Sequence, residues 1–264
     1  MKRFFAAFVF LMSLSAAALA ASGRQPAPPG ALPSAPPQYT RFTVSELTRG
    51  FLVLSFGSDL HIGAAPRGIR RFDHPIRAAV ISAGSVDRAA AMRHVLEDFA
   101  DQVPSLRLTV VSDAAAADIE VHLIDERDFR PALRGVFGAR VARVFIARTD
   151  PQYMTSVKSD PGGGIERAIS FVIVDKGDGV FRDCAYHELL HAFGLSNHDQ
   201  HNPWTTLNQK RLVGYLTVYD RALLTLLYDP RIEPGTTAQQ ARARLPALID
   251  DLSLAGATEQ QVGQ

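Results

Sequence analysis

Apolar residues recur along the chain at two different spacings, one typical of helices and one typical of strands. The helical period of 3.6 residues predicts helices over 44–57, 85–103, 219–229 and 237–252. Apolar runs that alternate or are rich in β-branched residues predict strands over 75–82, 106–111, 118–124, 141–147 and 168–175. This order predicts an α+β fold, with helices packed on one mixed, mostly parallel, twisted sheet.

The first helix carries its own boundary signals. Thr43 or Ser45 can cap its amino end, and Gly57 can stop it. A further helix is expected to begin near Phe181, after the most apolar of the predicted strands. That helix contains the candidate chemistry of the chain.

The amino terminus has the pattern of a secretory signal peptide. Lys2 and Arg3 precede an apolar run over 4–19, which ends in small residues and predicts cleavage after Ala20. A membrane anchor is the alternative, but the run is shorter than the ~20 residues that span a bilayer. We therefore expect a periplasmic or secreted protein with no stable membrane span after signal cleavage.

Residues 21–40 follow as a Pro-rich linker, because a stretch so rich in proline propagates neither helix nor sheet. The expected organisation is a signal peptide over 1–20, the linker over 21–40 and one folded domain over 41–264. Cys184 is the one cysteine, so an exported chain of this sequence contains no internal disulfide. Its stability must come from a hydrophobic core or from a metal.

Composition and charge exclude some classes of protein. A hydrophobic content of 47% is enough to build a core, which argues against a disordered chain. The formal net charge of +1 gives no general attraction to nucleic acid, and none is expected as a partner.

The segment YHELLHAFGLSNHDQHNPW (186–204) holds four of the eight histidines in the chain. His187 and His191 are four residues apart, which places both imidazoles on one face of a helix, where they can bind zinc. Glu188 lies between them in the pattern His-Glu-x-x-His and can act as the general base toward a metal-activated water. Gly194 then allows the chain to turn sharply back toward the metal.

The third metal ligand is less certain from the sequence, because several candidates follow Gly194. His198 is our first choice, since imidazole suits zinc and this residue is the first histidine after the turn. Asp199 is the second, because a carboxylate is a sound zinc ligand. His201 and Asn197 are weaker candidates.

The motif resembles that of the metzincin zinc peptidases, His-Glu-x-x-His-x-x-Gly-x-x-His. The chain departs from it at Asn197, where the pattern has histidine, and no methionine follows Met154 to form the Met-containing turn of those enzymes. The resemblance implies that residues 141–147 form the edge strand along which a peptide substrate pairs.

A closer resemblance covers roughly residues 45–252. The segments RRFDHPIRAAV, CAYHELLHAFGLSN and LTVYDRALLTLLYDPRIEPG are similar to the bacterial domain-of-unknown-function family 2927, a zincin-like group of exported proteins. Many members lack the two motif histidines, so the resemblance implies the zincin-like fold more than a reaction. This chain retains both histidines.

These patterns together predict an exported zinc-dependent metallopeptidase that acts on a peptide or protein substrate. Tyr215 and Tyr219 can be considered as donors to an oxyanion, although a core or rim position suits both. Two alternatives remain open: a non-catalytic zincin-like module that binds peptide or cell envelope, and a metal-dependent amidase of the cell wall.

Overall fold

The computed structural model describes residues 42–57, 67–148 and 153–262. The expected signal peptide and linker lie outside these residues. Within them, no helix is both long and apolar enough to cross a bilayer.

The described elements form a mixed α and β domain. Its helices are α1 (Val44–Phe56), α2 (Ala89–Gln102), α3 (Glu126–Arg148), α4 (Asp178–Ala192), α5 (Val218–Leu227) and α6 (Ala238–Val262). Its strands are β1 (Ile76–Ser82), β2 (Leu108–Val110), β3 (Ile119–Ile124), β4 (Tyr153–Ser159) and β5 (Ile165–Ile173).

The five strands form one sheet in the order β2-β1-β3-β5-β4. All neighbours are parallel except β4, which pairs antiparallel with β5 and lies at the edge of the sheet. The expectation of a mixed, mostly parallel sheet is therefore confirmed.

The prediction of a strand over 141–147 is wrong. These residues belong to α3, a long helix that is kinked at Gly138, where φ is +75°. Val141, Val144 and Phe145 also recur at helical spacing, so a short alternating run was compatible with either structure. The antiparallel edge strand is β4, which the sequence analysis did not predict.

The capping of α1 follows its sequence closely. The Thr43 hydroxyl accepts from the Glu46 backbone N–H, and the Glu46 carboxylate accepts from the Thr43 backbone N–H. This reciprocal pair fixes the amino end of α1. At the other end, the Gly57 N–H donates to the Val53 carbonyl.

The sheet separates a large core from a small one. Val172 on β5 packs into the large core, which α1, α2, α4, α5 and α6 share. On the opposite face, Phe171 and Ile173 contact Phe129 and Leu133 of α3. Because α4 lies in the large core against β4 and β5, the motif helix is held rigidly beside the antiparallel edge of the sheet.

Candidate metal centre

Helix α4 places the first two motif histidines at the end of a buried helix. It begins after Gly177, and most of its residues are buried, including Phe181, Cys184, Leu189 and Leu190. Apolar residues around the whole helix explain why it lies inside the molecule. His187 and His191 lie one turn apart near its carboxyl end, with ring centroids separated by 4.9 Å.

Gly194 turns the chain away from α4. Its φ is +115°, and a Cβ at this position would overlap the backbone carbonyl of Arg70. Glycine is required both by this conformation and by the close approach. The Leu195 N–H then donates to the Leu190 carbonyl, which closes the helix end and directs the following residues back along α4.

His198 returns to the two histidines of α4. Its Nε2 lies 2.9 Å from Nε2 of His187 and 3.2 Å from Nε2 of His191, and the latter two atoms are 3.1 Å apart. These three side chains form a group whose ligand atoms could hold a metal ion. No other such group occurs among the residues that the structure describes.

The three nitrogens fit the coordination that zinc prefers. Three nitrogens at 2.0–2.1 Å from a tetrahedral zinc ion lie about 3.3 Å apart, close to the separations seen here. The Leu195 carbonyl is within hydrogen-bond distance of His191 Nδ1, so it can accept the Nδ1 proton. That tautomer leaves the Nε2 lone pair directed at the group, as a metal ligand requires.

Glu188 is buried beside these histidines. Its side chain is 2% exposed, and its Oε2 has no hydrogen-bond partner among the described residues. Burial raises the pKa of Glu188 to about 8, although hydrogen bonding from Thr155 opposes the shift. A carboxyl group with a pKa near neutrality is suited to accept and return a proton at physiological pH.

The edge strand β4 contacts the motif helix directly. The Thr155 hydroxyl donates to the backbone carbonyl of Glu188 at 3.1 Å and lies 2.7 Å from the Ser170 hydroxyl. Neither hydroxyl was predicted from the sequence. The recurrence of Tyr153, Thr155 and Val157 at every second position, all residue types that are common in strands, was the signal that could have located β4.

The alternative ligands lie outside the three-histidine group. Asp199 is buried and forms an ion pair with Arg49. His201 is exposed, and its backbone N–H donates to Asp199 Oδ1. The Asn197 amide donates to the Val53 carbonyl at 3.0 Å.

A buried turn lies beside the motif helix α4. The turn Thr206–Asn208 contacts α4, and its Leu207 is fully buried. Asp220 anchors this segment by accepting from the Thr206 N–H at 2.8 Å and from the Thr205 hydroxyl. The chain therefore supports this region with apolar contacts and hydrogen bonds.

The two tyrosines considered as oxyanion donors differ in position. Tyr219 is buried, and its hydroxyl donates to the Glu46 carbonyl at 3.0 Å, so it is part of the contact with α1. Tyr215 is half-buried, and burial raises the pKa of its hydroxyl. Its backbone carbonyl accepts from the Thr206 hydroxyl.

Comparison with known proteins places the chain in a family without assigning it an activity. No curated protein matches it. A family model described as "Protein of unknown function (DUF2927)" matches residues 44–247, which is more than half of the chain and runs from the first residue of α1 into α6. The chain therefore belongs to the DUF2927 family.

Proposed function

We propose that this protein is an exported zinc-dependent metallopeptidase with a zincin-like fold. The observation that carries the proposal is the convergence of three imidazole Nε2 atoms within 3.2 Å of one another beside a buried carboxyl group. Three imidazoles with an adjacent carboxylic acid are a donor set and a base suited to metal-assisted hydrolysis.

His187, His191 and His198 would hold the metal. When bound, zinc would supply a Lewis acid that polarises a carbonyl group and lowers the pKa of water to about 7. The tautomer favoured by the Leu195 carbonyl supports this role, because it directs a lone pair of His191 into the group.

Glu188 would transfer the proton. It would accept one proton as water attacks the carbonyl carbon, and it would return that proton to the leaving nitrogen as the C–N bond breaks. The Thr155 hydroxyl would anchor the backbone of Glu188, and the buried surroundings would keep bulk water away from its carboxyl group.

Strand β4 supports a peptide as the substrate. It is the antiparallel edge of the sheet, it contacts α4, and its outer edge pairs with no strand in the described part of the chain. An extended peptide can add to such an edge through main-chain hydrogen bonds. Such a strand would pass beside Glu188, because Thr155 links β4 to that residue.

The test combines metal content with hydrolysis of an unspecific protein substrate. We expect about one zinc ion per wild-type chain and loss of the metal in His187→Ala. Glu188→Gln should keep the metal, because the amide retains size and polarity, but its turnover should fall by at least ~10², since it cannot accept the proton. His201→Ala is the matched control, because it removes a nearby exposed imidazole outside the group.

Each outcome has a defined meaning. Full zinc occupancy in His187→Ala would place the metal elsewhere and refute the proposed site. Zinc binding without hydrolysis of any protein substrate would favour a non-catalytic binding module. Release of amide products from cell-wall fragments but not from proteins would favour a cell-wall amidase.

A further inference from the structure

His198 differs from the other two histidines in how it is held. His187 and His191 lie on α4, whose backbone fixes their spacing. His198 lies in the segment 195–199, which has no regular secondary structure. The contacts made by its neighbours in the chain therefore contribute to its position.

The residues just before His198 bind the carboxyl end of α1. The backbone N–H groups of Ser196 and Asn197 both donate to the Leu54 carbonyl, at 2.8 and 3.1 Å. The Asn197 amide donates to the Val53 carbonyl at 3.0 Å, and the Ser196 hydroxyl donates to the Gly57 carbonyl at 3.2 Å. The last carbonyls of a helix lack the full set of partners within it, and here the segment before His198 provides donors for Leu54 and a second donor for Val53.

Gly57 makes this contact possible. A Cβ at position 57 would overlap the Asn197 amide and approach the Val53 carbonyl. Its φ of −77° is open to any residue, so glycine is needed here for space. The end of α1 and the segment before His198 are therefore fitted closely to each other.

The residue just after His198 is bound to the same helix. Arg49 Nη1 donates to Asp199 Oδ2 at 2.8 Å, and Arg49 Nη2 donates to Oδ1 at 3.3 Å. The Asp199 side chain is 3% exposed, whereas that of Arg49 is 55% exposed. Since a buried carboxylate without a partner is strongly unfavourable, this pair ties the segment to α1.

We infer that the docking of α1 sets the position of His198, and that Arg49 is a positioning residue for the metal site. The inference rests on the proposed function, because it assigns α1 a role in completing the three-histidine site. It is also consistent with the family match, which begins at residue 44, the first residue of α1. A histidine held in place before the metal arrives loses less freedom on binding, so metal affinity depends on this contact.

The test compares Arg49→Ala with a matched ion pair elsewhere. Arg77 is 50% exposed and donates to Asp118, which is 9% exposed, through two side-chain bonds. It lies on β1, which β3 separates from β5. Arg77→Ala therefore removes the same chemistry, through bonds that join Arg77 to Asp118 and involve neither α1 nor the His198 segment.

Two quantities are measured on each purified full-length variant. The first is the zinc dissociation constant, by competition with a chromophoric chelator. The second is amide hydrogen exchange of residues 196–202 in chelator-treated protein, where the Asp199 and Asn202 N–H groups have backbone acceptors. Arg49→Ala should weaken zinc binding ~10–100-fold, as expected for a group that supports a metal ligand, and should accelerate exchange in this segment. Arg49→Lys should restore part of both, because lysine keeps the charge but not the two-point contact.

Gly57→Ala provides a second variant that leaves the ion pair intact. It should weaken zinc binding in the same direction, because it displaces Asn197 from α1. Equal zinc affinities in Arg49→Ala, Gly57→Ala and Arg77→Ala would overturn the inference. Faster exchange in Arg49→Ala with unchanged zinc affinity would also overturn it, since the pair would then only stabilise the loop. Failure of the proposed function is distinguished by the wild-type protein, which would bind no zinc.

Discussion

The buried carboxyl group of Glu188 should make the metal-free protein less stable as the pH rises. Burial raises the pKa of this group from an ordinary value of 4.5 to about 8 in the folded chain. Between these values the folded protein holds a proton that the unfolded chain has released. The free energy of unfolding therefore falls with rising pH across this interval.

The magnitude follows from the size of the shift. Each pH unit between 4.5 and about 8 changes the contribution of Glu188 by about 1.4 kcal/mol. The full contribution of Glu188 to the free energy of unfolding is present below about pH 4.5. This contribution, about 5 kcal/mol, is lost once the pH exceeds about 8. Glu188→Gln has no proton to lose, so its stability should lack this dependence.

The assay is urea unfolding of chelator-treated wild type and Glu188→Gln at several values between pH 5 and 8.5. The difference in unfolding free energy, wild type minus variant, should decrease steadily over this range. Glu46→Gln is the control, because backbone and side-chain hydrogen bonds with Thr43 lower the pKa of Glu46. The contribution of Glu46 is complete above its ordinary pKa of 4.5 and is lost only at lower pH.

A constant difference between wild type and Glu188→Gln from pH 5 to 8.5 would refute the reasoning. It would mean that Glu188 is hydrated or paired in the metal-free protein, so that burial does not control its ionisation.

Three further predictions concern stability and metal removal. Chelation should lower the melting temperature of the wild type, because a bound ligand at 1,000 times its Kd stabilises the folded state by about 4 kcal/mol. His187→Ala should show no such change, because it is expected to bind no metal. Equal shifts of the melting temperature in thermal scans of the two proteins would contradict this. Gly194→Ala should lower the free energy of unfolding by more than the ~1–3 kcal/mol of backbone strain alone, because the new Cβ would also overlap the Arg70 carbonyl. A smaller loss in urea unfolding would mean that the turn relaxes. Asp220→Ala should leave the Thr205 hydroxyl and the Thr206 N–H without their acceptor. The free energy of unfolding should fall by about 1–3 kcal/mol for each buried donor that stays without a partner. An unchanged midpoint of urea unfolding would contradict this.

The sequence determined the local features of this protein. The helical spacing of His187 and His191, the capping residues of α1 and the turn at Gly194 depend on neighbours within a few positions, and the structure contains each of them. Most strands were predictable for the same reason, since their alternation is a local property. The order of the strands and the partners of each helix are not local properties.

The tertiary structure decided the rest. Residues 141–147 are helical beyond the kink at Gly138, although their short pattern suited a strand equally well. Asp199, the residue after His198, is paired with Arg49, which lies 150 residues away in sequence, and no local period can show such a pair. Sequence spacing could rank His198 above Asp199 as a ligand. Only the tertiary structure shows that His198 joins the three-histidine group, whereas Asp199 is buried and paired with Arg49 of α1.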